Sequence, residues 1–210
     1  ITITGTNWTN DGTLRANGGS LTTAGSWSSG GASDLIQVDS TGTLNLGGTF
    51  AASAISANVT RTGGTVNLTS TLNLAGSYDL GGAGNIGNLV LTNGALVQGG
   101  TLVTSNGTSA TVAQSATATF TGVTLGNGAA DSGNVVVGNN ANLNVNGGLV
   151  LDAGRVTLGS NGNVTELVLL GSGSQGISGT GEVVFAGTSA TPNTVRSNDA
   201  GSTLDIGTGI

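Results

Sequence analysis

The sequence predicts an all-β fold, a parallel β-helix (β-solenoid), from its composition, its alternating runs and a repeat of about two dozen residues. Glycine provides 40 of 210 residues, charged residues make up 7% and aromatic residues 3%. Glu, Lys, Gln, Met and Arg, the usual exposed helix formers, are rare or absent, so helix is disfavoured along the whole chain. Recurrent Val, Leu and Ile can still be buried, which predicts an ordered fold rather than a disordered chain.

Short runs of alternating apolar and polar residues recur between Gly, Asn, Ser and Asp turns. Such runs begin at Ile1, Leu35, Gly64, Asn88, Asn134 and Ser202. Alternation bounded by turn residues predicts short β-strands. We expect the terminal runs, ITIT and LDIGTGI, to be strands with open edges rather than caps.

A seven-residue pattern of leucine, a small residue with glycine, and an aromatic ring occurs three times, in 21–27, 44–50 and 72–78. A second register relates 38–46, 112–120 and 137–145. The central residues of the units fall at 21, 44, 72, 96, 118 and 143, with steps of 22 to 28 residues. This period predicts about eight or nine β-coils in a single domain over 1–210, and a rod about 40 Å long.

In a β-helix, inward side chains stack into columns and the corners require positive φ or stacked Asn. We therefore expect Phe50, Phe120 and Phe185 in the core. Trp8 and Trp27 remain open between the core and a strip on which sugars stack.

The segment 171–176 spells G-x-G-x-x-G, the fingerprint of a dinucleotide-binding turn. That turn requires a helix after the third glycine, and a second β-type run follows here instead. We interpret ELVLL at 166 and EVVF at 182 as inward-facing strands, with GSGSQG and SGTG as the corners between them. Glu166 and Glu182 then mark strand starts that face solvent.

The acidic residues predict no catalytic site. Enzymes built on β-helices need clustered carboxylates or a general base, but His and Lys are absent and the Asp residues are scattered. The nearest groupings, Asp34 with Asp39 and Asp152 with Arg155, are typical of solvated turns. Gly81–Ile86 is the closest match to a calcium-binding nonapeptide, but it occurs once and lacks the Asp. We predict no enzyme, no cofactor and no metal site.

The net charge of −6, with four Arg and no Lys, provides no basic stripe for phosphates. Nucleic acid is therefore not an expected partner, and no apolar run has membrane-spanning length, so we expect no membrane insertion. The absence of Cys suits passage through an oxidising compartment. Because the chain begins at Ile1 and contains no Met, we expect a processed product or a piece of a longer protein.

The units IQVDSTGTLNLGGTF, TVNLTSTLNLAGSY and QGISGTGEVVFAG resemble the coils of secreted bacterial β-helix proteins, namely autotransporter passengers and filamentous-haemagglutinin-like adhesins. The resemblance covers nearly the whole chain in repeat style. It implies a right-handed parallel β-helix, secretion to the bacterial cell surface, and adhesive or structural work. Asparagine-proline motifs, usual in the secretion domain, are absent, so the chain would be repeat body. No site residue can be transferred from these families.

The expected function is that of a non-catalytic, rigid rod that mediates adhesion or assembles into a filament or matrix. Its expected partners are glycans or proteins of host or neighbouring cells, and further copies stacked end to end. The residues expected to contact glycans or other copies are Trp8, Trp27, Ile1, Ile3 and Ile210. The alternative is a carbohydrate-binding or polysaccharide-degrading β-helix, which an acidic patch of Asp34, Asp39, Asp79 and Asp152 would support and their dispersal would disfavour.

Overall fold

The chain forms a parallel β-solenoid of about eight turns, with almost no helix, which confirms the predicted fold class. The computed structural model describes residues 1–29, 31, 34–188 and 192–210. Within these residues the only helix is a 3-10 turn, Ala52–Ile55.

Three stacked sheets form the faces of the solenoid. Sheet I comprises β1 (Thr2–Ile3), β4 (Ser20–Thr23), β7 (Thr43–Leu46), β10 (Thr65–Leu68), β13 (Leu89–Leu91), β16 (Ala110–Val112), β19 (Gly133–Val137), β22 (Gly154–Ser160) and β25 (Glu182–Gly187). Sheet II comprises β8 (Thr49–Ala51), β11 (Thr71–Asn73), β14 (Leu96–Gln98), β17 (Thr117–Thr121), β20 (Asn142–Asn146), β23 (Thr165–Leu170) and β26 (Asn193–Ser197). Sheet III comprises β12 (Ser77–Asp79), β15 (Thr101–Val103), β18 (Thr124–Leu125), β21 (Leu149–Leu151), β24 (Ser174–Gly179) and β27 (Thr203–Ile206).

Two smaller sheets complete the N-terminal part: β2 (Trp8–Asn10) with β5 (Trp27–Ser29), and β3 (Thr13–Ala16), β6 (Leu35–Val38) and β9 (Val59–Arg61). The β2–β5 pair continues the face of sheet II, because Ser26 bridges Thr49 in parallel. Each strand of sheet I begins one coil, and we number these coils 1 to 9 from β1 to β25.

The third face changes between coil 3 and coil 4. Coils 1 to 3 carry β3, β6 and β9, whereas sheet III begins with β12 in coil 4. The Tyr78 hydroxyl donates to the Ile55 carbonyl at 2.9 Å, so the Tyr78 side chain connects β12 to the 3-10 turn. The loop 80–88 takes the place of a fourth strand beside β9, and its Gly84 carbonyl accepts from the Val59 N–H at 2.8 Å. This change from β9 to the loop 80–88 leaves a step, an offset between coils 3 and 4, on the side of the rod.

The interior consists of columns of side chains that follow the parallel register. One column of sheet I, here the inner column, runs through Ile3, Thr23, Leu46, Leu68, Leu91, Val112, Val137, Leu158 and Phe185. Thr23 is the polar exception, and its buried hydroxyl accepts from the Gly47 N–H at 3.2 Å. Since each fully buried aliphatic side chain contributes about 1.5–3 kcal/mol, these columns are the main source of stability.

In coils 2 and 3, glycine at the corner that follows the strand of sheet I is required by close backbone contact. Gly25 and Gly48 have φ of 78° and 73°. A Cβ at Gly25 would lie 1.9 Å from the Gly5 carbonyl oxygen, and one at Gly48 would lie 1.8 Å from that of Gly25. The corner glycines of coils 1 to 3 therefore stack directly, and a side chain at Gly25 or Gly48 would separate these coils.

The central residues predicted from sequence, spaced by 22 to 28 residues, lie on two different faces of the rod. Leu44 stacks on Val66 of the same sheet, whereas Leu72 belongs to sheet II and stacks on Phe50. The 28-residue step from 44 to 72 therefore moves to the next face of the rod. The predicted central residue at 96 is one residue out of register, because Leu72 pairs with Val97, which is buried.

Two predictions for the last coils are also wrong in part. Phe185 continues the inner column but is 58% exposed, because no described coil covers it. The stretch GSGSQGISGTG is not all corner, since Ser174–Gly179 forms β24. Phe50 and Phe120 are buried as predicted. Glu182 starts its strand and is exposed, while Glu166 is the second residue of β23 and half-buried.

Candidate functional site

The two tryptophans form the first members of an aromatic stack along sheet II. The rings of Trp8 and Trp27 lie 5.5 Å apart, and those of Trp27 and Phe50 lie 4.7 Å apart. Each indole N–H donates to a carbonyl of the following coil: Trp8 to Ala24 at 2.9 Å and Trp27 to Gly47 at 3.0 Å. The rings therefore stabilise the narrow N-terminal coils from within.

This position limits a sugar-stacking role for the tryptophans. Trp27 is only 5% exposed, so its ring faces are covered by the neighbouring rings. Trp8 is half-buried in coil 1 and retains accessible surface. A sugar could therefore reach Trp8, but it could reach Trp27 only after local opening.

The terminal isoleucines lie at opposite ends of the rod. Ile1 is 90% exposed, and Ile3 begins the inner column. Ile210 lines an apolar cavity of about 290 Å³ at the other end, together with Ile177, Glu182, Val183, Phe185, Val195, Leu204 and Ile206. The structure thus brings Ile210 together with Phe185, which the sequence predicts to lie in the core.

The four Asp residues of the alternative hypothesis are not gathered into one patch. Asp39 pairs with Arg15 at 2.9 Å in the N-terminal part, and the Asp34 carboxylate accepts from the Gly31 N–H. Asp79 and Asp152 belong to coils 4 and 7. Among the described residues, no group of three or more potential metal ligands comes together. This dispersal disfavours the polysaccharide-degrading alternative, which an acidic patch of these residues would support.

A groove of about 700 Å³ lies at the step where the third face changes. It is lined by Val59, Thr60, Arg61, Gly63, Leu80, Gly81, Gly82, Gly84, Asn85, Ile86, Gly87, Asn88 and Thr108. One wall is β9 and the other is the glycine-rich loop 80–88. We refer to it below as the Arg61 groove.

Glycine shapes the loop that forms one wall of the Arg61 groove. A Cβ at Gly81 would lie 2.1 Å from the Ser105 carbonyl oxygen, and a Cβ at Gly84 would lie 2.7 Å from that of Ala57. The loop therefore packs by its backbone against both neighbouring coils. A segment with side chains at these positions could not pack so closely, and the groove would lose this wall.

Arg61 joins the two walls of the groove through its guanidinium group. Nε donates to the Gly63 carbonyl at 3.0 Å, and Nη2 donates to the Gly64 carbonyl at 2.7 Å. Nη1 donates to the carbonyls of Ile86 and Asn88 at 2.8 and 2.7 Å. Partial burial lowers the pKa of the Arg61 side chain below its ordinary value.

Arg61 differs from the other three arginines in its partners. Arg15 pairs with Asp39, Arg155 with Asp131 and Glu182, and Arg196 with Glu166. In the described part of the chain, Arg61 has carbonyl partners and no carboxylate within ion-pair distance. Its positive charge is therefore not neutralised by a neighbouring side chain.

Asp79 holds the base of the loop that forms the groove wall. Its carboxylate accepts from the Gly81 N–H at 2.9 Å, the Ser105 N–H at 3.0 Å and the Ser105 hydroxyl at 2.7 Å. Burial alone would raise the pKa of Asp79, but the hydrogen bonds from Ser105 and Gly81 outweigh it and lower the pKa. Burial raises the pKa of the neighbouring Tyr78 phenol well above its usual range.

Sequence reasoning missed the Arg61 groove. The available signal was an arginine followed by two glycines at 63–64, and a second glycine-rich stretch at 81–87 about one coil later. Spacing of one period places such segments side by side on the rod. The stretch 81–86 resembles part of a calcium-binding nonapeptide, and this resemblance does not indicate a groove.

No family model, curated protein or solved structure matches the chain at a significant level. An origin among autotransporter passengers or haemagglutinin-type adhesins therefore stays a prediction from repeat style. In the described ranges, no helix is long and apolar enough to cross a membrane.

Proposed function

We propose that the chain is a non-catalytic structural and adhesive segment of a secreted bacterial surface protein. In this proposal the β-solenoid is a stiff rod that holds binding surfaces at fixed spacing from the cell. The partners are glycans or proteins on host or neighbouring cells. Rigidity matters because a stiff spacer presents a binding surface without the entropic cost of ordering a flexible chain.

The observation that carries the proposal is the unbroken interior. The inner column extends from Ile3 in coil 1 to Phe185 in coil 9, and one hydrophobic cluster runs from Ala16 to Ile177. Among the described residues, this cluster is continuous from one end of the core to the other. Sequence favours the same function through the resemblance of its coils to bacterial adhesins.

The proposal is tested by coating fluorescent beads with the folded chain and counting their attachment to epithelial cells and to bacteria. We expect attachment to exceed that of beads coated with a glycine-serine chain of equal mass. Heat-denatured chain on the beads is the control for non-specific adhesion. Equal attachment of folded and denatured chain would contradict a role for the rod.

End-to-end association is a second candidate, favoured by the apolar surface of coil 9. Phe185 is 58% and Ile206 51% exposed around the apolar cavity. The two ends of the rod differ in width. The sequence separation between stacked residues is seven residues longer for Thr157 and Val184, at the coil 9 end, than for Thr2 and Thr22, at the coil 1 end. A narrow coil 1 would leave part of the wide mouth of coil 9 uncovered. We therefore propose that two copies of the isolated 210-residue chain meet through their coil 9 surfaces.

This candidate predicts a dimer that depends on the exposed ring. Light scattering after size exclusion at about 100 µM should give twice the chain mass for the natural sequence and a monomer for Phe185→Ser. Ile1→Ser at the opposite end is the matched control and should remain dimeric. A monomer for the natural sequence, or filaments instead of dimers, would contradict association through coil 9.

A further inference from the structure

We propose that the Arg61 groove binds an acidic oligosaccharide, with one sugar carboxylate beside the Arg61 guanidinium. The inference rests on the proposed adhesive function and specifies the class of glycan that the rod would bind. It is carried by a cavity of suitable size and by a positive charge without a carboxylate partner.

The size of the groove suits a short oligosaccharide. Small-molecule sites commonly have volumes of about 300–1,000 Å³. The groove, at about 700 Å³, lies in this range and is lined by β9 and the loop 80–88. Two or three sugar rings are therefore a reasonable occupant.

The charge of the groove selects an acidic ligand. Arg61 is the one charged residue among those that line it. The whole chain carries a net charge of −6, so its overall charge repels anions. A ligand carboxylate at Arg61 would meet a local positive charge that the other arginines, already paired, do not offer.

The hydrogen-bonding groups of the groove suit a hydroxyl-rich ligand. Four of the five N–H groups of Arg61 donate to carbonyls, which leaves one on Nη2 for a ligand. Thr60 and Asn88 are exposed at the edges and add a hydroxyl and an amide. The apolar residues Val59, Leu80 and Ile86 are at most 5% exposed and offer little apolar surface.

An extended peptide fits the groove less well than a glycan. A peptide would add to β9 as a further strand and would need its free backbone groups. Gly84 already accepts from the Val59 N–H, and the Arg61 side chain spans from β9 to Ile86 and Asn88. These contacts block the edge along which a peptide strand would lie.

The test is an NMR titration of the 15N-labelled chain with 3′-sialyllactose and, separately, with a galacturonate dimer. Lactose is the neutral control for the first sugar. For at least one acidic sugar, we expect saturable amide shifts with a Kd of about 1 mM. These shifts should occur at the amides of Thr60, Arg61, Gly82, Gly84 and Gly87. Lactose should bind at least about fivefold more weakly, and salt at about 0.3 M should weaken acidic-sugar binding.

Asn88→Asp is the informative variant, because it adds a negative charge to the groove wall while an Oδ1 acceptor for the Ser109 N–H remains. We expect binding about fivefold to tenfold weaker, with unchanged thermal stability. Asn163→Asp makes the same charge change on an exposed residue near coil 8 and should leave binding unchanged. Arg61→Gln should abolish binding, but it also removes carbonyl contacts, so Asn88→Asp decides the question.

Several outcomes would overturn the inference. One is that the amide shifts fall outside the groove, and another is that lactose binds as tightly as the acidic sugars. The others are that Asn88→Asp and Asn163→Asp weaken binding equally, or that neither acidic sugar binds. An acidic tetrapeptide that binds as tightly at the same amides would replace the glycan with a peptide ligand. The titration uses the soluble chain, so its failure would leave the bead-attachment test of the rod unaffected.

Discussion

The closed coils in the middle of the rod and the open coil 9 place similar side chains in very different surroundings. Phe120 in coil 6 is 0% exposed, between Val97 below and Val145 above. Phe185 in coil 9 follows the same inward direction, stacks on Leu158 and is 58% exposed. The comparison teaches that strand alternation sets the direction of a side chain, whereas burial requires a further coil on each side.

The largest expected effect is on the stability of the closed coils. Phe120→Ala should lower the free energy of unfolding by about 3–5 kcal/mol, because the removed ring leaves a cavity between two coils. Phe185→Ala should change it by less than about 1 kcal/mol, since the ring contacts coil 8 on one side only. Urea unfolding followed by circular dichroism measures both, and equal losses would remove the distinction between closed and open coils.

A second prediction compares corner glycines that face a neighbouring coil with those that face solvent. Gly48→Ala should cost about 3 kcal/mol or more, because the Cβ would meet the Gly25 carbonyl oxygen and φ is positive. Gly147 also has positive φ, 83°, but nothing lies within 4 Å of its Cβ position.

Gly147→Ala is therefore the matched control and should cost only the strain of a left-handed residue, about 1–2 kcal/mol. The two thermal unfolding midpoints give the difference. If both variants unfold at the same temperature, contact between coils is not what fixes glycine at the corner.

The smallest expected effect is a dependence of stability on acid. The folded state lowers the pKa of Asp79 below its unfolded value, so the ionised Asp79 carboxylate stabilises the folded chain. This stabilisation is present above about pH 4 and is lost as pH falls. Asp79→Asn should therefore flatten the loss of stability between about pH 5 and pH 2. Urea midpoints at a series of pH values would measure it.

An Asp79→Asn variant with the same acid dependence as the natural chain would show that its three hydrogen bonds do not stabilise the closed coils.

Much of this architecture follows from residue patterns that act locally. Alternation correctly predicts strands such as β6, β7 and β20, and glycine correctly marks the corners at Gly25 and Gly48. These features depend on backbone geometry within a few residues, which composition and spacing reveal directly.

The assignment of repeats to faces could not be read from the same patterns. Leu21 to Trp27 and Leu72 to Tyr78 share one pattern but join different pairs of sheets. The sequence of strand, glycine and strand occurs at more than one kind of corner, so the pattern does not say which corner it occupies. For the same reason the change of face at Ala52–Ile55, and the Arg61 groove beside it, require knowledge of which coils lie next to each other.

Hydrogen exchange with mass spectrometry tests most directly the claim that each coil is protected by the coils on both sides. We expect slow exchange in β17 and β20 and faster exchange in β26 and β27, whose strands have a paired neighbour on one side only. At protein concentrations where the chain is monomeric, protection should therefore fall from coil 8 to coil 9. Uniform slow exchange through Ile206 in the monomer would contradict the claim.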